Sequence, residues 1–140
     1  MYMIGLLKKY LLSILVLLII FILCFMNTSP LPAPPVKNFD KLVHVIMFLG
    51  LAGVVFFDNT RYLRFPISNR RIFWGSFLFP LLLGGLIEIM QAYLTRYRSG
   101  DWFDFLGDAV GIVLAAGIAL LINRYFLLKK KKEIFVILNK

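Results

Sequence analysis

The sequence predicts an all-α fold, a bundle of four transmembrane helices with both termini in the cytoplasm, forming a single domain over residues 1–140. Three observations point there. Hydrophobic residues make up 61% of the chain and charged residues only 16%, whereas a soluble domain is about 45–50% apolar and about 25% charged. The apolar excess is gathered into four blocks, Tyr10–Met26, Leu42–Phe57, Ile72–Leu94 and Phe105–Leu128. The lysines and arginines flank those blocks with a strong bias to alternate sides.

The first block follows Lys8 and Lys9 and predicts a helix over about 8–26. It has the look of a signal peptide, but Met26-Asn27-Thr28-Ser29-Pro30 lacks the small-x-small pattern of a cleavage site. Leu23 stands before Cys24, where a lipoprotein signal carries a small residue. A retained helix is therefore expected. The four prolines between Pro30 and Pro35 forbid helix and favour a stiff extended connector. The second block, at 16 residues, falls short of the roughly 20 that span a bilayer. A helix over about 41–57 would have to borrow flanking residues or thin the membrane. The third and fourth blocks predict helices over about 72–94 and 102–126, the last followed by a basic tail, 129–140.

Orientation follows from the positive charges. Twelve of the 16 lysines and arginines fall at the N-terminus, in the loop 58–71 and in the tail, against four (Lys37, Lys41, Arg96 and Arg98) on the other side. An excess of Lys and Arg marks the cytoplasmic side. The net charge of +9 thus serves topology, and no nucleic-acid-binding pattern accompanies it. Cys24 is the one cysteine, which excludes an internal disulfide, and its apolar setting suits packing better than reactivity.

The acidic residues sort the opposite way. Asp40, Glu88, Asp101, Asp104 and Asp108 gather at the outer ends of the second, third and fourth helices. Glu88 lies about 9 Å inside the end of its block at 1.5 Å per residue, and an ionisable group within a span is a functional candidate by default. Gln91 shares nearly the same face. Ser76, Pro80, Gly84 and Glu88 recur at intervals of four, a stripe suited to close helix packing, and Gly107, Gly111, Ala115 and Ala119 form another. Asp101 and Asp104 suit capping and the helix dipole. Asp108 lies a turn too deep for either. Asp40 stands one turn before His44, the single histidine, where a carboxylate can orient or charge the imidazole. The expected polar core is His44, Glu88 and Asp108, with Asp40, Lys41, Gln91, Arg96, Arg98, Asp101 and Asp104 as binding residues. Three carboxylates and one histidine could hold a divalent cation. However, no HExxH or DxDxDG pattern is present and the arginines offer a simpler counter-charge, so neither a metal nor another cofactor is expected. Walker, dinucleotide and nucleophile-elbow motifs are also missing.

Asp40-Lys41-x-x-His44, Glu88-x-x-Gln91 and Arg98-Ser99-Gly100-Asp101-Trp102-x-Asp104-x-x-x-Asp108, with the trailing Gly111, occur in this order over about residues 38–122. Together they resemble the VanZ-like family of bacterial membrane proteins, which has Asn where Asp108 stands. The resemblance implies a bacterial plasma-membrane protein of the cell envelope. The family's namesake accompanies glycopeptide-resistance genes and is linked to reduced susceptibility to teicoplanin.

Two kinds of function follow as expectations. One is an outward-facing polar pocket that binds or alters an outer-leaflet ligand, such as a lipid-linked cell-wall precursor or a lipoglycopeptide. Arg96 and Arg98 would hold a phosphate there, and His44 with one carboxylate would be the acid–base pair if the site is catalytic. The other is a non-enzymatic module whose polar cluster only locks the helices together. A transporter or its subunit is a further reading: four helices without repeats argue against a solitary transporter, though an oligomer, including a homo-oligomer, could form one. The partner common to all readings is the bilayer.

Overall fold

The structure, a computed structural model, describes residues 2–27, 38–63, 66–96 and 100–138. Those residues form α1 (Tyr2–Lys9), α2 (Leu11–Phe25), α3 (Phe39–Leu63), α4 (Asn69–Ile72), a π-helical turn (Phe73–Leu78), α5 (Phe79–Leu94) and α6 (Trp102–Leu138). There is no strand among them.

Three helical stretches are long and apolar enough to cross a membrane: Phe39–Arg61, Asn69–Leu94 and Trp102–Leu138. The fold is that of a helical membrane protein. Its outer face agrees: Leu82, Ile89, Val113 and Leu121 are 65%, 53%, 56% and 69% exposed, and a water-facing surface so apolar would aggregate. The first apolar block yields only the 15-residue α2, broken from α1 at Tyr10, so three spans rather than four are evident by length. The second block borrows on both sides. Asn38 enters the left-handed region at φ 60°, which asparagine tolerates, and α3 then runs through Asp58-Asn59-Thr60 to a total of 25 residues. The tail departs from expectation as well. Instead of ending near residue 126, α6 continues through the lysine run to Leu138, about 55 Å in all at 1.5 Å per residue. Lysine, glutamate and leucine are good helix formers, and neither glycine nor proline interrupts them. From Arg124 onward its described residues are exposed, apart from half-buried Phe126.

The π-helical turn has a local cause. Pro80 has no N–H to give the Ser76 carbonyl, and its ring crowds that oxygen. The helix widens ahead of it, and the Phe79 N–H bonds five residues back to the Trp74 carbonyl.

Small residues set the packing. An added Cβ on Gly111 would collide with the Val45 carbonyl, and one on Gly107 would lie 3.0 Å from the Lys41 carbonyl. The backbones of α3 and α6 therefore touch, running parallel. On the other side of α6, a Cβ on Gly84 would come within 2.8 Å of Asp108 Oδ2, so α5 passes close and antiparallel. Ser76, Pro80, Gly84 and Glu88 are all buried, as are Gly107, Gly111, Ala115 and Ala119. Between them the core gathers Ile20 and Cys24 from α2, Phe48, Leu51, Ala52 and Val55 from α3, Ile87 from α5, and Ile112 and Ala115 from α6.

Candidate functional site

One end of the bundle brings His44 from α3, Glu88 from α5 and Asp108 from α6 together. They are 2%, 5% and 0% exposed. His44 Nδ1 lies 2.9 Å from Asp108 Oδ1 and 4.0 Å from Glu88 Oε1, while Nε2 lies 3.9 Å from Asp104 Oδ2. The close approaches of Gly84 and Gly107 make this meeting possible, because a side chain at either position would push the helices apart.

A shell of charge surrounds this core. Lys41 Nζ reaches Asp101 Oδ2 at 2.9 Å and Asp104 Oδ1 at 3.0 Å, with a longer contact of 3.4 Å to Asp40. Asp101 caps α6, its Oδ1 accepting the Phe103 N–H at 2.8 Å. The Asp101 backbone N–H donates to Glu88 Oε2 at 2.9 Å, tying the end of α5 to the start of α6. The Lys41 ammonium, aided by the Phe103 N–H, holds the Asp101 carboxyl below the usual carboxylate range.

Acceptors outnumber donors here. Among the described residues, Lys41 pairs with Asp40, Asp101 and Asp104, while Glu88 and Asp108 lie against His44. Glu88 Oε1 and Asp108 Oδ2 are buried with no hydrogen-bond partner among the described residues. Leaving a buried acceptor unpaired costs about 1–3 kcal/mol, and more for a charged group. Such an arrangement can receive a donor or a cation, or shuttle a proton between imidazole and carboxylate.

Other expected site residues lie elsewhere. Gln91 is buried but turns away, its Nε2 donating to the Cys24 carbonyl at 2.7 Å and so holding α2. The side chain of Asp40 is 54% exposed, and the imidazole takes its carboxylate from Asp108 across the bundle instead of from Asp40 one turn back. Arg96 is exposed at the end of α5 and makes no ion pair among the described residues, and Arg98 lies outside the described residues. The basic pair expected to hold a phosphate is therefore not assembled in what the structure describes.

A second polar group, at the opposite end of α3, escaped the sequence reading. Asp58 Oδ2 accepts from Ser13 Oγ at 2.7 Å and Ser13 N at 3.0 Å. Tyr10 Oη donates to Asn59 Oδ1 at 2.9 Å. Nearby on α6, Asn123 Oδ1 accepts the Ile67 N–H at 2.9 Å while its Nδ2 donates to the Ile67 carbonyl at 2.8 Å. A cavity of about 310 Å³ adjoins this end, lined by residues including Tyr10, Ser13, Asn59 and Gly75. The signal for Asn123 was a lone amide in an apolar run, an uncommon placement that implies a partner. Asp58 gave none, since it reads as an ordinary loop residue beyond its block.

A multi-helix membrane protein with a buried histidine–carboxylate cluster at one end is the class these features define. A protein of the fission yeast Schizosaccharomyces pombe, uncharacterized protein C11E3.10, is 33% identical over 118 residues, covering 84% of this chain and 67% of the relative. The chain belongs to the same family as that protein. No family model matches the chain, and no solved structure matches it. These results overturn the VanZ-like resemblance, because this relative is eukaryotic, and they lend no support to a bacterial setting or to the teicoplanin association.

Proposed function

We propose that the protein is a multi-pass membrane protein that binds the polar headgroup of a membrane-resident, lipid-linked ligand at the His44 end of the bundle. One observation carries the reading. Glu88 Oε1 and Asp108 Oδ2 are buried acceptors with no hydrogen-bond partner among the described residues, beside the only imidazole of the chain. A headgroup offering hydroxyl or ammonium donors would complete their hydrogen bonding, and its acyl chains would lie along the apolar outer face. Should the ligand be transformed, His44 and Asp108 at 2.9 Å are the acid–base pair within reach of it. In this reading α2 is a fourth, short span completed by α1 residues. Both termini and residues 66–71 face the cytosol, as the positive-charge bias favours, and the His44 end faces away from it.

The alternative, a cluster that only locks helices, is favoured by two contacts. His44 joins α3 to α6, and Glu88 accepts the Asp101 N–H. The test is lipid recovery. Purified wild type should retain a lipid identifiable by mass spectrometry, and Glu88→Gln should lose it while inserting at normal yield. Lost yield without a retained lipid in the wild type would favour the locking role. For topology, a cysteine at Asn38 should react with an impermeant thiol reagent in intact cells and one at Asn69 should not.

A further inference from the structure

We propose that His44, Glu88 and Asp108 form a binding site for one divalent transition-metal cation, with Zn²⁺ as its representative. The inference shares the two unpartnered oxygens with the headgroup reading and adds to them the spacing of the three ligand atoms and the charge of the cluster. One ligand atom from each residue lies within 4.8 Å of the others. Zinc bonds of about 2.0–2.2 Å place ligand atoms roughly 3.4 Å apart around a tetrahedron. The separations from His44 Nδ1, 2.9 Å to Asp108 Oδ1 and 4.0 Å to Glu88 Oε1, bracket that spacing, so the ion needs only small shifts of side chains.

Three further features converge. The unpartnered oxygens Glu88 Oε1 and Asp108 Oδ2 belong to side chains more than nine-tenths buried. The two carboxylates with a neutral imidazole carry the charge that matches a divalent cation, while Lys41 is already committed to Asp101 and Asp104. Finally, a metal-ligating histidine donates its other ring N–H to a carboxylate that fixes the tautomer, and Asp104 Oδ2, at 3.9 Å from Nε2, is the carboxylate that would have to close in to take that bond. One imidazole and two carboxylates suit zinc or manganese, whereas calcium and magnesium favour all-oxygen sites. The ligands come singly from three helices, so no short spacing motif accompanies them, and the residue types alone left a metal unexpected. Three protein ligands leave a fourth position open, the arrangement of catalytic rather than structural zinc sites.

The experiment uses detergent-purified full-length protein carrying a histidine-free affinity tag and stripped with a chelator. Calorimetric titration with Zn²⁺ should give about one ion per chain, undisturbed by excess Ca²⁺ or Mg²⁺. Glu88→Gln and Asp108→Asn should each weaken binding at least tenfold. Because His44 is the only histidine, isotope-labelled histidine reports one imidazole, and its Nδ1 resonance should move on Zn²⁺ addition. That readout needs no variant, so it decides the matter even if a variant fails to fold. Absence of saturable binding, a stationary Nδ1 resonance at saturation, or unchanged affinity in both folded variants overturns the proposal. Retained lipid without ion binding would leave the headgroup reading standing alone, and ion binding without lipid the reverse.

Discussion

The two polar ends of the bundle differ in whether their hydrogen bonds close. At the Asp58 end, Asp58, Asn59 and Asn123 all find partners, and the one buried group without a partner among the described residues is a neutral hydroxyl, Ser76 Oγ of the neighbouring π-helical turn. Asp58 takes both the side-chain and backbone donors of Ser13, within the first turn of α2, where orphan N–H groups and the helix dipole call for an anion. Asn123 satisfies both backbone groups of Ile67. At the His44 end, Lys41 pairs with Asp40, Asp101 and Asp104 while Glu88 and Asp108 lie against His44, and one oxygen of each of these last two carboxylates is buried with no partner among the described residues. The lesson is that burial of a charge does not by itself mark a site. Asp58 at 1% exposure is as buried as Asp108 at 0%, yet only the second leaves hydrogen-bonding capacity unused for something from outside.

Substitutions should separate the ends, beginning with one that destroys both. Gly111→Leu places a side chain where the Val45 carbonyl lies, so α3 and α6 cannot meet. Membrane yield of folded protein should collapse, and normal yield would refute the close packing. Next come the closed bonds. Asn123→Ala leaves both buried backbone groups of Ile67 unpaired, and at about 1–3 kcal/mol for each unsatisfied group the unfolding midpoint in detergent should drop clearly. Its binding of Zn²⁺ should stay unchanged once folded, since it touches nothing at the other end. A loss of ion affinity equal to that of Glu88→Gln would deny the separation.

The smallest effect concerns Asp101. Its carboxyl is held below the ordinary range by Lys41, so its pairing contributes stability above the unfolded carboxyl pKa and loses it as pH falls through the folded value. An exposed pair of this kind is worth about 1 kcal/mol or less. Asp101→Asn should therefore flatten the acid limb of the stability–pH curve only slightly, and a large change would mean that Asp101 supports more than its pair.

Much of the bundle was legible because apolar blocks and small-residue stripes are one-dimensional signals: Ser76, Pro80, Gly84 and Glu88 face inward at their spacing of four. The limits of α3 and α6 were not, since Asp58-Asn59-Thr60 and the lysine run read as loop and tail although nothing in them breaks a helix. At the site, the depths of His44, Glu88 and Asp108 could be read from position along each block. The partner choices could not: whether the imidazole takes Asp40 or Asp108 depends on how two helices rotate against each other, which spacing within one helix does not encode. Gln91 shows the same limit, sharing a face with Glu88 yet spending its amide on the Cys24 carbonyl.

The His44 end holds carboxylates with unused hydrogen-bonding capacity among the described residues, and the Asp58 carboxylate is spent on Ser13. The direct measurement is the unfolding midpoint of chelator-stripped protein carrying Glu88→Gln or Asp58→Ala, side by side with wild type. Glu88→Gln should melt at or above the wild type, because it removes one of the crowded charges while its amide oxygen still accepts the Asp101 N–H. Asp58→Ala should melt lower by roughly 5 °C or more, on the scale of about 4 °C per kcal/mol for a chain of this size. Glu88→Gln falling as far as Asp58→Ala would show that Glu88, like Asp58, is part of a closed structural network with nothing left to bind.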